Sequence, residues 1–501
     1  MNLTALAAAH PDRVAYLLHE SGERLSYAEL ERRSNQVAHL FRRLGLRPGD
    51  HIAFLSENRL EVFPVVWAAQ RAGLLYTPVN WHLGVEEATY IVDNCQAKVL
   101  LHSADLAELA STCDSLPHLR KRVVIAGTAP GAEALADLIA DLPTTPIEDE
   151  VEGATMMYSS GTTGRPKGIL PVLPGTPFGT GLILDRTVPA FGVGPGSVYL
   201  SPAPVHHAAP LGWCLAVVRN GGTVVVMRKF EPEAALDAVQ THGVTHGQFV
   251  PTMFVRMLKL PDEVRRSYDV SSLQVVVHAA APCPVEVKRR MIEWLGPCLV
   301  EYYAGSEATG MTMIDSQQWL THPGSVGPAV IGTLHVTDET GRELPSGEVG
   351  TIWFADGPTF EYYRDPAKTA DAVNERGWST LGDLGHLDDD GFLYLSDRRD
   401  DLIISGGVNI YPREIEDALA LHPRVADVAV VGLADQEFGQ SVHALVQPAA
   451  GTSTADLQVE LNDFLRSRIA HFKVPRSWEF GEVPRTPTGK LLRRAVLARR
   501  V

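Results

Sequence analysis

Residues 158–168 read Tyr-Ser-Ser-Gly-Thr-Thr-Gly-Arg-Pro-Lys-Gly, and this segment is the most informative in the 501-residue chain. It holds four serine and threonine hydroxyls, three glycines and one lysine within eleven residues. Glycines let backbone N–H groups turn toward an anion, hydroxyls donate further hydrogen bonds, and Lys167 adds positive charge. Apolar residues lead into the segment and out of it. The pattern therefore indicates an ordered polyphosphate-binding loop rather than a flexible polar linker.

The segment is not a Walker loop, because Pro166 precedes the lysine and Gly168 follows it, where that motif requires Gly-Lys-Ser/Thr. It resembles instead the signature of the adenylate-forming superfamily, which includes acyl- and aryl-CoA synthetases, peptide-synthetase adenylation domains and beetle luciferases. The resemblance implies that ATP phosphates are bound here, with Thr162 also a Mg²⁺ ligand. The implied phosphate-binding residues are Ser159, Ser160, Gly161, Thr162, Thr163, Gly164 and Lys167.

Residues 302–310, Tyr-Tyr-Ala-Gly-Ser-Glu-Ala-Thr-Gly, are similar to the family's Tyr-Gly-x-Thr-Glu motif. An aromatic ring can stack on adenine, a hydroxyl can reach the α-phosphate, and a carboxylate can hold Mg²⁺. The resemblance assigns these roles to Tyr303, Ser306 and Glu307. Ser306 stands where threonine is usual and keeps the hydroxyl.

Two shorter motifs follow the family order. His278-Ala-Ala-Ala-Pro282 resembles the small-residue loop that lines the adenine and acyl pocket, which implies nucleotide contact at Ala280. Residues 379–385, Ser-Thr-Leu-Gly-Asp-Leu-Gly, resemble the Thr-Gly-Asp motif, with Leu381 departing from the commonest spelling. A carboxylate accepts two hydrogen bonds, so Asp383 is assigned to the ribose hydroxyls.

The segment 396–416 is similar to the family's hinge motif almost throughout. The resemblance implies that Arg398 contacts ribose or phosphate, that Asp400 is the hinge, and that Gly407 lines the pantetheine path. Pro484-Arg-Thr-Pro-Thr-Gly-Lys490 resembles the last motif, in which Lys490 stabilises the charge that develops during adenylation. One well-placed cation in a water-excluded site supplies roughly 10²–10³ in rate.

His206-His207 follows Ser-Pro-Ala-Pro-Val and resembles the family's Pro-Leu-Phe-His motif. His207 occupies the usual histidine position and is a candidate catalytic residue, although packing or gating is its commoner role. His206 replaces an aromatic residue. No third ligand lies at zinc-site spacing, so we reject a zinc site here.

Alternating helical and β-rich segments predict an α/β fold with mostly parallel sheets. Leu25–Leu44 has helical periodicity and a Ser26/Glu29 capping box, whereas the segment 128–149 reads as a surface connection. The stretch after about Asp400 is long enough to bury its own core. We expect a large N-terminal domain of layered α/β subdomains, residues 1–399, and a small mobile α+β C-terminal domain, residues 400–501.

Composition limits the remaining choices. A net charge of −16 argues against a nucleic-acid partner. No window approaches the roughly 18 to 20 apolar residues of a membrane helix, and no signal peptide is recognisable. The five cysteines are odd in number and scattered, which favours a reduced, cytoplasmic enzyme. Many members of the family are dimers, so a homodimer is among the assemblies that the resemblance allows.

The resemblance implies an acyl-CoA synthetase that uses ATP, Mg²⁺ and CoA and releases AMP and pyrophosphate. The alternatives are an acyl-AMP ligase that loads a carrier protein, an aryl-CoA ligase, a luciferase-type oxygenase and a nucleotide-binding pseudoenzyme. The segments 206–213 and 278–281 carry small or apolar residues and no lysine or arginine. We therefore expect a monocarboxylic acid with an apolar body, fatty or otherwise bulky.

Overall fold

The computed structural model describes residues 2–159, 166–398, 401–406, 408–486 and 491–499, with backbone alone for Ile183, Asp397 and Arg398. The chain forms two compact units, each built from stretches that are not contiguous in the sequence. The first comprises residues 1–248, 262–276 and 360–369, and the second comprises residues 249–261, 277–359 and 370–501. Within the described ranges, no helix combines the length and the apolar character needed to cross a bilayer.

The first unit contains a six-stranded sheet in which every neighbouring pair is parallel. Its order is Glu133–Ala134, Lys121–Ala126, Val99–Ser103, His51–Leu55, Leu75–Val79 and Ala154–Thr155. The central strands are buried along their whole length, as expected where helices cover a parallel sheet. A second run of strands is parallel except for its antiparallel edge Arg24–Ser26: it continues through Val14–Leu18, Thr223–Val226, Val198–Ser201 and His246–Phe249.

Helices in the first unit alternate with these strands, as the sequence predicts. They span Leu3–Ala9, Tyr27–Arg43, Val62–Arg71, Val85–Asn94, Ala107–Ser111, Leu135–Ile139, Ile183–Thr187, Ala208–Arg219, Pro232–His242 and Asp262–Ser267. The predicted helix Leu25–Leu44 is confirmed as Tyr27–Arg43, with Ser26 accepting from the Glu29 N–H at 3.2 Å. A capping box also predicts a hydrogen bond from the Ser26 N–H to the Glu29 carboxylate. This prediction is wrong, because the Glu29 carboxylate instead accepts from Arg32 at 2.7 Å.

The segment 128–149 is more ordered than the sequence suggests, since it contributes the edge strand Glu133–Ala134 and the helix Leu135–Ile139. Gln36 donates to the carbonyl of Ile139 at 2.8 Å. The strand's pairing with Lys121–Ala126 depends on residues distant in sequence, which local composition does not reveal.

The second unit is richer in antiparallel pairing. One set of strands is Leu299–Tyr303, Met311–Asp315 and Ala329–Ile331, and a four-stranded sheet follows the order Thr333–Thr337, Gly350–Ala355, Asp383–Leu387 and Leu393–Arg398. Its helices span Pro251–Leu258, Val285–Leu295, Ser316–Thr321, Pro412–Ala420, Leu457–Arg466 and Arg493–Ala498.

The last hundred residues form a sheet and a core of their own. The strand order is Val408–Ile410, Ile403–Ser405, Gly439–Pro448 and Val425–Asp435, and Ser477–Phe480 pairs parallel with Gly439–Pro448. A buried cluster from Ile403 to Val474 joins this sheet to the helices Pro412–Ala420 and Leu457–Arg466. The α+β character expected for this part of the chain is confirmed. The boundary at 399/400 and the mobility remain predictions.

Candidate active site

The two ends of the glycine-hydroxyl segment lie in the paired strands of a β-hairpin. Strands Met157–Ser159 and Lys167–Leu170 pair antiparallel, with Ser159 opposite Lys167 and Gly168 opposite Tyr158. The hairpin places Ser159 and Lys167 side by side at the mouth of the connection. The predicted phosphate residues Ser160, Gly161, Thr162, Thr163 and Gly164 lie outside the described residues.

Contacts of Tyr158, Lys167 and Gly168 hold the two strands of the hairpin in place. A Cβ at Gly168 would stand 2.9 Å from Tyr158 Cζ and 3.0 Å from Met156 Cε, so a larger residue would displace these side chains. The Tyr158 hydroxyl donates to Asn94 Oδ1 at 2.5 Å. The Lys167 ammonium lies 4.9 Å from the ring centroid of Tyr362, on the strand Glu361–Tyr362 that pairs with the far side of the hairpin. These contacts fix both ends of the connection.

The end of the Gly/Pro-rich segment after the hairpin packs against buried charged residues. The Phe178 ring lies 4.8 Å from the Arg71 guanidinium and 5.4 Å from that of Arg219. Arg219 pairs with Glu152, and both side chains are almost fully buried. Glu152 Oε2 also accepts from the Gly179 N–H at 2.9 Å. A buried charge network therefore holds the end of this segment, and desolvation makes such pairs costly to break.

In the second unit, two predicted nucleotide-binding residues are in direct contact. The Tyr303 hydroxyl donates to Asp383 Oδ2 at 2.7 Å. Tyr303 ends the strand Leu299–Tyr303, and Asp383 begins the strand Asp383–Leu387. Arg398 lies opposite Asp383 in the neighbouring antiparallel strand. The structure thus brings together Tyr303, Asp383 and the backbone of Arg398.

The loop from Ala304 to Gly310 is closely packed, and its small residues are required. A Cβ at Gly305 would meet Leu381 Cδ2 at 2.4 Å and Glu307 Oε2 at 2.8 Å, and one at Gly310 would overlap the Phe354 ring at 2.0 Å. Ala308 adopts φ +54°, a left-handed conformation that costs energy outside glycine. Leu381, which departs from the family spelling, thus fills the space beside Gly305.

The predicted metal residue lies in this loop. Glu307 is half-buried, and Ser306 is exposed. Among the described residues, no group of three or more His, Cys, Asp or Glu side chains is arranged to hold a metal ion. A single carboxylate fits Mg²⁺, which in nucleotide enzymes is bound through one or two carboxylates together with substrate phosphates.

The alanine loop after His278 is strained where it was predicted to meet the nucleotide. Ala280 is exposed and adopts φ +72°, which L-residues rarely occupy. A buried charge pair lies behind it: Lys288 Nζ donates to Glu301 Oε2 at 2.6 Å. His278 Nε2 stands 3.7 Å from the same oxygen. Burial lowers the pKa of His278 well below its usual value, and Lys288 adds to this effect.

His206 and His207 belong to the first unit. They lie between the strand Val198–Ser201 and the helix Ala208–Arg219, with His207 at the N-cap position. The expected pocket segment is partly closed by packing, because Trp213 is buried between Phe191, at 5.3 Å, and Tyr199, at 5.8 Å. A Cβ at Gly212 would stand 2.9 Å from Leu184 Cδ2, so this glycine accommodates a neighbouring helix.

Three further predicted residues, Asp400, Gly407 and Lys490, lie outside the described residues. Their neighbours show that Ile403–Ser405 and Val408–Ile410 form a hairpin in which Gly406 has φ +58°, consistent with the need for glycine there.

Sequence reasoning did not single out three residues that support these segments. Lys288 and Glu301 form the buried pair behind the alanine loop, and Asn58 makes three hydrogen bonds that hold the segment before His206. A lysine on an otherwise amphipathic helix gives no local sign of burial. The partners of Asn58 lie more than a hundred residues away.

Comparison with known proteins gives consistent results along the whole chain. The family model "AMP-binding enzyme" matches residues 3–363, and "AMP-binding enzyme C-terminal domain" matches residues 414–490. A feruloyl-CoA synthase of Amycolatopsis sp is 35% identical, over 97% of this chain and 96% of that protein. A fatty acid–[acyl-carrier-protein] ligase, ScoC, of Streptomyces coeruleorubidus is 31% identical, over 98% and 94%. The crystal structure of ATP-bound MatB from Rhodopseudomonas palustris superposes with a TM-score of 0.82 at 28% identity, over 99% and 98%.

Proposed function

Since this chain belongs to the AMP-binding enzyme family, in its adenylate-forming acyl-CoA synthetase branch, we propose that it converts a carboxylic acid to its CoA thioester. ATP is consumed in this reaction, and AMP and pyrophosphate are released. The observation that carries the proposal is the contact between Tyr303 and Asp383, with Arg398 opposite Asp383. This contact brings together residues from three separate motifs, and each of the three motifs is expected to bind the nucleoside of ATP.

In the first half-reaction, a carboxylate oxygen of the acid attacks the α-phosphorus of ATP. The bond from that phosphorus to the bridging oxygen breaks, and pyrophosphate leaves. Ser159, Lys167 and the residues between them would bind the departing phosphates, while Tyr303 and Asp383 would orient the nucleoside. Lys490 would stabilise the reacting oxygens. Such catalysis rests on positioning and charge neutralisation, and the protein need not supply a nucleophile.

Mg²⁺, held by Glu307 and by Thr162, would supply further charge neutralisation on the phosphates when bound. The exposed Ser306 hydroxyl would donate to the α-phosphate. Ala280 lies in a strained loop, and strain of this kind is concentrated where backbone approaches a ligand closely. His207 would border the acid rather than transfer a proton.

In the second half-reaction, the CoA thiolate sulfur attacks the acyl carbon, the carbon–oxygen bond to phosphate breaks, and AMP leaves. We expect residues 400–501 to turn about Asp400 between the two steps, which withdraws Lys490 and brings Gly407 toward the thiol. Gating of this kind separates two reactions within one enzyme. We propose a cytoplasmic location. It is supported by the use of free CoA as a co-substrate, by five cysteines that form no disulfide, and by the acidic net charge.

The acid that we propose is a monocarboxylic acid with an apolar body. No lysine or arginine stands in the segments 206–213 and 278–281 to pair with a second carboxylate. The names of two relatives support this proposal, because feruloyl and fatty acids have aromatic or aliphatic bodies.

A carrier-protein phosphopantetheine is the second candidate acceptor. It is favoured by one observation, the 31% identity to the fatty acid–[acyl-carrier-protein] ligase over 98% of this chain. Both acceptors present the same thiol, so the adenylation step is common to them.

The test is AMP and pyrophosphate release from Mg·ATP across aliphatic, aromatic and polycyclic acids, with and without CoA. Release that requires both acid and CoA supports the ligase. Acid-dependent pyrophosphate exchange with no CoA-dependent turnover assigns the acceptor to a carrier protein. If no acid gives AMP or pyrophosphate release although ATP binds, the result would favour a nucleotide-binding pseudoenzyme. Turnover of acetate or of dicarboxylates alone would exclude an apolar acid as the substrate.

A further inference from the structure

His206 is a buried polar side chain whose protein surroundings do not satisfy it. It is 4% exposed, and neither ring nitrogen meets a hydrogen-bond partner among the described residues. Its nearest rings are those of His207, at 4.4 Å, and His82, at 6.4 Å. Buried polar groups in folded proteins are almost always hydrogen-bonded, so an unpartnered imidazole requires an explanation.

The backbone that carries His206 is held in place. The Asn58 amide donates to the carbonyls of Ala203, at 3.0 Å, and Met227, at 2.8 Å. Asn58 Oδ1 accepts from the Val205 N–H at 2.9 Å. The buried Asn58 thus fixes the residue that directly precedes His206. The position of the imidazole follows from this constraint rather than from a bond made by its own ring.

The His206 ring is neutral at physiological pH. Burial lowers its pKa well below 6.5, and the neighbouring His207 and His82 act in the same direction. A neutral imidazole offers one N–H donor and one nitrogen acceptor, and can therefore bind a hydroxyl in either sense or donate to a carbonyl. Beyond His207, the chain continues with the small residues Ala208 and Ala209, which are half-buried.

We propose that His206 is a specificity-determining residue that hydrogen-bonds to an oxygen substituent, a hydroxyl or a carbonyl, on the otherwise apolar body of the acid. This inference rests on the proposed function, because it assumes that the segment around His206 receives the acid. It narrows the substrate class from an apolar acid to an oxygenated apolar acid. A site built to bond a substrate hydroxyl discriminates strongly against the analogue that lacks it, since its own polar group is then left unpaired.

The experiment compares kcat/KM for matched acid pairs that differ by one oxygen. Cinnamic acid is paired with its hydroxylated forms, and a saturated fatty acid with its hydroxy and keto forms at successive positions. The wild-type enzyme should prefer one oxygenated member by about 10- to 100-fold. His206→Phe, which restores an aromatic residue of similar size, should abolish this preference while retaining turnover of the unsubstituted acid. His206→Gln, which keeps a donor and an acceptor, should retain part of it.

His82→Phe is the matched control, because His82 is an exposed neighbour of the same ring type. It should leave the preference within about twofold. The inference is overturned if the wild-type enzyme shows no oxygen preference in any pair, as expected if water alone satisfies the ring. It is also overturned if His206→Phe keeps the preference or if His82→Phe alone removes it. Absence of acid-dependent AMP with every acid would instead contradict the proposed function.

Discussion

The Tyr303 hydroxyl donates to Asp383 Oδ2 across 2.7 Å, although the two residues are 80 positions apart in the chain. The Tyr303 ring also packs against the cluster of Val326, Ile352 and Leu393 and lies 6.1 Å from the Phe354 ring. The aromatic ring assigned to adenine and the carboxylate assigned to ribose therefore hold each other in place.

Tyr303→Phe tests this relationship. The variant keeps the ring and loses the hydroxyl, so Asp383 should be less well oriented and the KM for ATP should rise about 3- to 10-fold. The value of kcat should change less. Tyr394→Phe is the matched control, because its hydroxyl donates to Asp388 Oδ2 at 3.2 Å in the same sheet. Equal effects of the two variants on the KM for ATP would refute the assignment.

Gly305→Ala tests the packing of the loop that carries Glu307. The new methyl group would push against Leu381 and the Glu307 carboxylate, so the Mg·ATP concentration at half-maximal rate should rise about 10-fold. Leu381→Ala creates space at the same point, and the double variant should regain most of the loss. A double-mutant cycle measures the coupling. Strict additivity would show that Leu381 is not the neighbour that matters.

Lys288→Met tests the buried pair behind the alanine loop. It leaves the Glu301 carboxylate without its partner, and loss of one member of a buried pair costs about 3 to 5 kcal/mol. The melting temperature should fall clearly. Lys288→Met/Glu301→Leu removes both charges and should recover stability, whereas Lys229→Met, at an exposed lysine, should change nothing. A double variant no more stable than the single one would contradict this account.

The buried His51 should make the folded protein less stable as the pH falls. Burial lowers its pKa from 6.5 to about 4. Between these values the unfolded chain binds a proton that the folded chain does not, so stability is complete above pH 6.5 and is lost as the pH falls toward 4. One such group contributes about 1.4 kcal/mol per pH unit in the middle of the window.

The measurement is the melting temperature from pH 7 to pH 4. His51→Gln should have a shallower slope than the wild type, while other buried histidines maintain part of the dependence in both proteins. Substitution of the exposed His10 by Gln should leave the slope unchanged. An unaltered slope in His51→Gln would show that this ring is protonated in the folded state.

Lys490→Ala should reduce acid-dependent pyrophosphate exchange by about 10²–10³-fold, since the ammonium acts on charge that develops in the transition state. Transfer from a chemically prepared acyl-adenylate to CoA should be affected much less, because we expect Lys490 to have withdrawn by then. Lys229→Ala is the control at an exposed lysine. Unchanged exchange in Lys490→Ala would refute the mechanism.

Local patterns predicted the elements well where the sequence carries its own end signals. The helical pattern of residues 285–295 predicts the helix that the structure has, Val285–Leu295, between Pro284 and Gly296. The β-rich pattern from Val425 predicts a strand that ends at Val431, but the strand continues to Asp435 because its long partner Gly439–Pro448 pairs along its whole length. The helical pattern from Leu457 predicts a helix as far as Ala470, but the helix ends at Arg466 and the backbone of Ala470 is extended. Contacts between segments distant in the sequence set where these elements end. The local periodicity of the sequence carries no information about those contacts.

The candidate site shows the same division. Motif chemistry identified Tyr303 and Asp383, yet their hydrogen bond depends on two strands from different sheets. The burial of Lys288, and the lack of a hydrogen-bond partner for the His206 ring within the described part of the chain, are likewise consequences of packing. Residue types in motif order therefore name the groups that we expect to act. The contacts that hold and tune those groups require the folded chain.

The most direct test of the account follows one oxygen atom. The enzyme is supplied with Mg·ATP, CoA and an accepted acid whose carboxylate is labelled with ¹⁸O, and the AMP is analysed by mass spectrometry. If a carboxylate oxygen attacks the α-phosphorus, each AMP formed carries one ¹⁸O in its phosphate. Unlabelled AMP, or label recovered in inorganic phosphate with release of ADP, would show that the acid is not activated as an acyl-adenylate.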